Sequence, residues 1–117
     1  MAIQRFRVGP RMSAAVKHGG TVYVAGQVAP KAEGAGVGAQ TKQILALIDE
    51  ILKVAGTDKS KLLSANIWLT DISTFAEMNA AWDAWVSPGN TPARATVESK
   101  LAAPQYKVEI ACIVAAG

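Results

Sequence analysis

The 117-residue chain is half hydrophobic and only 18% charged, below the usual ~25%. This composition argues against disorder and against a coiled coil, and it makes a single domain over residues 1–117 the expectation. The net charge of +3 is far from a nucleic-acid footprint and fits anionic small molecules or nothing in particular. One His and one Cys cannot make an ordinary zinc site, which takes about three or four such ligands, so no metal is expected. Cys112 has no partner for an intrachain disulfide, which points to a reducing cytoplasm. The opening residues, Met1 to Arg7, alternate polar with apolar and lack the apolar block of a signal peptide. No apolar run reaches the roughly 18 residues of a membrane helix.

Gln4 to Val8 is a short alternating strand. Ser13 to Val16 and Thr21 to Val28 are two more, joined through Lys17-His18-Gly19-Gly20. Gly-Gly between β-prone runs signals a hairpin, because both central residues can take positive φ. Ala29 to Gly38 holds one proline and three glycines and is expected as a loop. Its Gly34-Ala35-Gly36-Val37-Gly38-Ala39 run matches the GxGxx[GA] dinucleotide pattern. Five residues separate it from the preceding strand, however, and no second strand ends in a suitably spaced acid, so a flexible connector is the better reading.

Ile44, Ile48, Ile51, Leu52 and Ala55 then recur at helical steps, with Gly56 where a C-terminal cap belongs. Leu62 to Leu69 returns to strand, with Ala65, Ile67 and Leu69 alternating against Asn66 and Trp68. Thr74 and Glu77 match a capping box for a second helix marked by Phe75, Met78, Trp82, Trp85 and Val86. Ala93 to Glu98 and Lys107 to Ala115 are the last strands. The order β-β-β-α-β-α-β-β predicts an α+β domain, with about six strands and both helices on one sheet face. The other face then needs cover, and a partner subunit is the usual solution.

Few residues suggest chemistry. Cys112 alternates with Val108, Ile110 and Val114 and reads as a structural thiol. His18 stands alone at a turn, without a partner for acid–base work. Arg5, Arg7, Arg11 and Lys17 form either a solvated edge or an anion-binding rim. Trp82 and Trp85 fit the core face of their helix. Glu98 and Glu109 are surface charges, partners for an arginine, or a base. Arg94, inside Pro92-Ala93-Arg94-Ala95-Thr96-Val97-Glu98, is the most informative residue. Arginine is rarely buried in a sheet without a partner, and its planar fork suits a carboxylate. A structural salt bridge and ligand binding both remain open at this point.

Several motifs occur together. Gly9-Pro10, the Gly20–Gln27 hairpin strand, Gln40-Thr41, Leu69-Thr70-Asp71-Ile72 before Phe75, Pro92-Ala93-Arg94 with Val97-Glu98, and Val108-Glu109-Ile110 follow in one order. Together they resemble the RidA family, also called YjgF/YER057c/UK114, over nearly the whole chain. The resemblance implies a chorismate-mutase-like α+β domain. It also implies a homotrimer with the sheets forming an inner barrel, and three clefts between subunits. It further implies cofactor-free hydrolysis of reactive 2-imino acids to 2-oxo acids and ammonia, the activity of 2-iminobutanoate/2-iminopropanoate deaminases. Some members of the family are also described as ribonucleases or translation inhibitors.

By the same resemblance, Arg94 matches the arginine that grips the substrate carboxylate. Gly26 matches the hairpin glycine whose backbone approaches the ligand. Thr96 stands where many members carry a cysteine. The departures are Arg11 in place of a cleft tyrosine, Ala25 in place of a serine, and Ala111 in place of the glutamate that positions the attacking water. Glu109 matches only the preceding glutamate. A carboxylate introduced at 111 is expected to sit on the strand adjacent to Arg94 and to face the same cleft; if Arg11 enters that cleft beside Arg94, the site would prefer a dianionic ligand. The functional expectation is a RidA-like deaminase of reduced rate or shifted substrate. The alternative is a non-catalytic trimeric binder of small carboxylates, and the minor alternative is RNA cleavage.

Overall fold

A computed structural model describes residues 2–117; Met1, which opens the alternating N-terminal stretch, lies outside the described residues. Strands β1 (Gln4–Val8), β2 (Ser13–His18) and β3 (Thr21–Gln27) precede helix α1 (Val37–Val54). Strand β4 (Leu62–Leu69), helix α2 (Phe75–Trp85), β5 (Ala93–Glu98) and β6 (Val108–Ala115) complete the chain, and single 3-10 turns lead into β4 and α2. One six-stranded sheet runs in the order β1-β2-β3-β6-β4-β5. All pairings are antiparallel except β4 with β5, where α2 makes the crossover that a parallel pair requires.

The β2–β3 connection is the two-residue Gly19-Gly20 turn, but only Gly19 takes positive φ (61°). One positive central residue is enough for a turn of the II′ kind. Helix α1 ends as its sequence predicts. Gly56 (φ 82°) lies just past Ala55, and its N–H donates to the Lys53 carbonyl at 3.1 Å.

The other end of α1 departs from expectation. It begins at Val37, inside the segment expected as loop. Gly36, its N-cap, has no side chain to offer, and the Gly38 N–H donates to the Glu77 Oε2 of α2 at 2.8 Å. An anion at a helix N-terminus offsets the unpaired amides and the dipole. The glycine-rich run thus receives a carboxylate from its own chain where a dinucleotide site would receive phosphate. The Thr74–Glu77 capping box is correspondingly absent. Thr74 makes no side-chain cap bond and its Oγ1 donates to the Asp71 carbonyl at 2.6 Å, while Glu77 serves α1.

Gln40 ties these parts together. It is fully buried. Its Nε2 donates to the carbonyls of Ala32 (3.2 Å), Ala35 (3.0 Å) and Gln105 (3.0 Å), and its Oε1 accepts from the Lys107 N–H at 2.9 Å. A buried amide with all its groups engaged fixes the loop before α1 against the loop before β6.

The core lies between the helices and one sheet face. Val22 and Val24 of β3, Ala65, Ile67 and Leu69 of β4, and Val108, Ile110, Cys112 and Val114 of β6 are buried under Ile44, Ile48, Ile51, Leu52, Met78 and Trp82. The alternate positions face away from the helices and are uncovered in the single chain. Tyr23 is 48% and Val97 50% exposed there. This α+β layering, with a six-stranded sheet and both helices on one face, agrees with the sequence expectation.

Candidate functional site

Arg94 sits on β5, the edge strand, paired with Ala65 of β4, which in turn pairs with Cys112 of β6. Ala65 and Cys112 are buried beneath the helices, so Arg94 belongs to the helix-side row. Its guanidinium carbon lies 5.3 Å from the Trp82 ring centroid and 5.7 Å from that of Phe75, within cation–π range of both. Arg94 is half-buried. Among the described residues it makes no ion pair; the one recorded joins Arg7 to Glu50 at 3.9 Å. Glu98, the nearest acid along the strand, instead accepts from the Ile72 N–H at 3.0 Å. The structural salt bridge left open for Arg94 is therefore not made within the chain.

Thr96 follows on the same row, opposite Ile67. Its Oγ1 is shielded from solvent and has no hydrogen-bond partner, and neither does the Oδ1 of Asn79. Asn79 lies four residues after Phe75 and three before Trp82, on the α2 stripe that meets Arg94. Each shielded, unpaired polar atom carries a desolvation cost of about 1–3 kcal/mol.

A second group lies on the uncovered face. Gly26 sits where the β3–β6 register shifts, between Val24 and Gln27. A Cβ at Gly26 would stand 3.0 Å from the Glu109 carboxyl carbon and collide with its Oε2. The absent side chain is what lets Glu109 lie against this bulge. Glu109 pairs across to Trp68 and Ala111 to Asn66, and both β6 residues are half-buried.

The structure corrects one expectation about how these groups meet. Ala111 is not on the strand next to Arg94, because β4 separates β6 from β5, and it faces the opposite side of the sheet. The reason is register: Arg94 aligns with Cys112, and each neighbour of Cys112 on β6 points the other way. Arg11, whose entry into a cleft the sequence leaves open, is far from Arg94 within the chain. It lies exposed in the β1–β2 turn, closed by the Gly9 N–H donating to the Met12 carbonyl at 2.8 Å. Four strand spacings separate β2 from β5, or about 19 Å. Arg94 and Thr96 thus form one half-site, Gly26, Glu109 and Ala111 form another, and Arg11 stands at the far edge.

Cys112 is buried, and desolvation pushes its thiol up to about 12. A thiol held protonated is a poor nucleophile, in keeping with a structural role. His18 is exposed at the β2 terminus. Among the described residues no three metal-ligating side chains cluster, and no helix is long and apolar enough to cross a membrane. Sequence reasoning took Trp82 as core only. It is core, at 5% exposed, but its ring also carries Arg94. The seven-residue step from Phe75 to Trp82, two helical turns, was the available signal.

Comparison with known proteins gives a consistent answer. Residues 3–116 match the family model described as Endoribonuclease L-PSP. A RutC family protein of Haemophilus influenzae is 44% identical over 113 residues, 97% of either chain. The RutC family protein YoaB of Escherichia coli K12 is 44% identical over 115 residues, covering 98% of this chain and 99% of that one. The crystal structure of a YjgF-family protein from Neisseria meningitidis superposes with a TM-score of 0.96 at 43% identity, covering 100% of this chain and 97% of the other. A YjgF/YER057c/UK114 member from Mycobacterium tuberculosis gives 0.88 at 27% identity, with 97% and 99% covered. The chain belongs to the YjgF/RutC family, the family of the Endoribonuclease L-PSP model.

Proposed function

We propose that this protein holds a small 2-imino acid by its carboxylate through Arg94 and hydrolyses it slowly to the 2-oxo acid and ammonia. The observation that carries this reading is Arg94 itself: half-buried on an edge strand, within cation–π range of two aromatic rings, and without an acid of its own chain among the described residues. Such a guanidinium keeps its N–H edge free for a bidentate carboxylate. In the reaction, water adds to the imine carbon as the C=N pair moves to nitrogen, which takes a proton. Collapse of the carbinolamine then expels ammonia and leaves the carbonyl. No cofactor enters this reading, and the reducing cytoplasm expected from the lone cysteine is its setting.

The clefts are completed between copies of the chain in a homotrimer. Support comes from the two half-sites, which face opposite sides of one sheet, and from the uncovered apolar positions at Tyr23 and Val97. Only a neighbouring copy can bring Gly26 and Ala111 to Arg94 and Thr96, with Arg11 at the rim. Sedimentation equilibrium should give three times the 12.2 kDa chain mass; a monomer at micromolar concentration refutes this arrangement.

Ala111 favours a second reading, a trimeric carboxylate binder without turnover. A methyl group cannot orient water, and a positioned acid or base typically contributes 10²- to 10⁴-fold. RNA cleavage has less support, since the one histidine sits exposed at a turn. The deciding experiment is ammonia release from freshly generated 2-iminopropanoate by wild type and Arg94→Ala. Release above the Arg94→Ala blank supports deamination. Binding of 2-oxobutanoate that depends on Arg94, without release, supports the binder. Binding unchanged by Arg94→Ala refutes both.

A further inference from the structure

We propose that Phe75 and Trp82 are positioning residues for Arg94, together forming a cradle that presets its guanidinium for a ligand; the ligand part rests on the carboxylate reading above. The two rings stand two turns apart on α2, about 10 Å along its axis, and the guanidinium lies over both. Contact at both ends limits where the side chain can swing. Aromatic rings compete poorly for its N–H donors, so the planar fork stays available to a carboxylate.

Two observations set this apart from ordinary core packing. Phe75 is 40% exposed, so burial alone gives little reason for a large ring at that position. Trp82 is braced from behind. Its ring packs on Trp85 at 5.4 Å between centroids, and the Trp85 Nε1 donates to Asp49 Oδ2 of α1 at 3.0 Å. The line Asp49–Trp85–Trp82–Arg94 thus anchors an edge-strand arginine to the longer helix. A preset arginine loses less rotamer freedom when a ligand arrives, which tightens binding without adding a contact.

The test measures Arg94 directly. The ¹⁵Nε–Hε order parameter of Arg94 should be well above that of exposed Arg11 in the wild-type assembly. It should fall toward the Arg11 value in Phe75→Leu and in Trp82→Leu, and hold in Phe75→Tyr and Trp82→Phe, which keep a ring. Calorimetry with 2-oxobutanoate should show a 3- to 10-fold higher Kd for each Leu variant and near wild-type affinity for the ring-retaining ones. Phe75→Leu, at a surface position, decides the matter if Trp82→Leu fails to fold. An Arg94 as mobile as Arg11 in wild type overturns the cradle, as do Leu variants with unchanged order and affinity. Ordered Arg94 that loosens in the Leu variants, with no 2-oxobutanoate binding by wild type, supports the cradle and overturns the carboxylate reading instead.

Discussion

Replacing Gln40 with leucine removes four contacts at one buried point. The Lys107 N–H loses its acceptor, and the carbonyls of Gln105, Ala35 and Ala32 lose a donor. The Ala32 carbonyl still accepts from the Ala35 N–H at 3.0 Å, so three backbone groups are left bare. Each buried hydrogen bond contributes about 1 kcal/mol net, and a stranded group costs about 1–3 kcal/mol. Leucine fills a similar volume and returns about 1–2 kcal/mol of apolar burial. The balance is a loss of about 3 kcal/mol. At about 4 °C per kcal/mol for a chain of this size, the melting temperature should drop by about 12 °C. Calorimetric melting at fixed protein concentration measures it. Amide exchange should show faster loss of protection at Lys107 than at Val22. A drop under about 4 °C, or unchanged protection at Lys107, refutes Gln40 as the tie between the two loops.

Glu77→Ala should cost about 1 kcal/mol by uncapping α1, with Glu77→Gln recovering part of it; a melting temperature unchanged in both variants counts against the cross-helix cap. Thr96→Val should keep or raise stability, by up to about 1 kcal/mol, because its shielded hydroxyl has no partner to lose; a loss of 1 kcal/mol or more in urea unfolding contradicts that. Burial raises the folded-state thiol of Cys112 from 9.0 to about 12, so its contribution is complete below about pH 9 and fades between pH 9 and 12. Wild type should therefore lose stability over that window faster than Cys112→Val, and parallel urea midpoints for the two refute it. Ala111→Glu should raise ammonia release from 2-iminopropanoate by about 10-fold or more if a neighbouring copy brings Arg94 to it; no gain in an active wild type means a carboxylate there is dispensable.

Much of the fold was legible because its periods are clean. Ala65, Ile67 and Leu69 alternate with Asn66 and Trp68, and the buried row is the one this pattern names. Ile44, Ile48, Ile51 and Leu52 fall on one helical face and are buried together. What local pattern could not supply is which distant group answers an unpaired one. Thr74 and Glu77 satisfy a local capping rule, yet the Gly38 N–H at the start of α1, 39 residues before Glu77, claims the carboxylate. Gln40 looked like one polar residue opening a helix, and its partner Lys107 lies 67 residues on. At the site, the stretch around Arg94 stood out from residue type and setting. Its relation to Ala111 did not, because face and strand neighbour depend on β4 lying between them, which is a matter of topology.

The position of β6 has a consequence for synthesis. The last strand in chain order lies inside the sheet, bonded to β3 on one side and β4 on the other. Until it emerges, the β1–β3 meander and the β4–α2–β5 unit share no strand pairing. Each presents an open edge. A ribosome-bound chain therefore cannot fold by accretion from its N-terminus, since the element that joins the halves is made after both. Closure waits for pairings between residues such as Val22 and Val114, 92 positions apart, and contacts of that span slow folding. The same open edges could capture β6 from a neighbouring nascent chain. Crowded synthesis is thus where domain swapping and aggregation should threaten this molecule most.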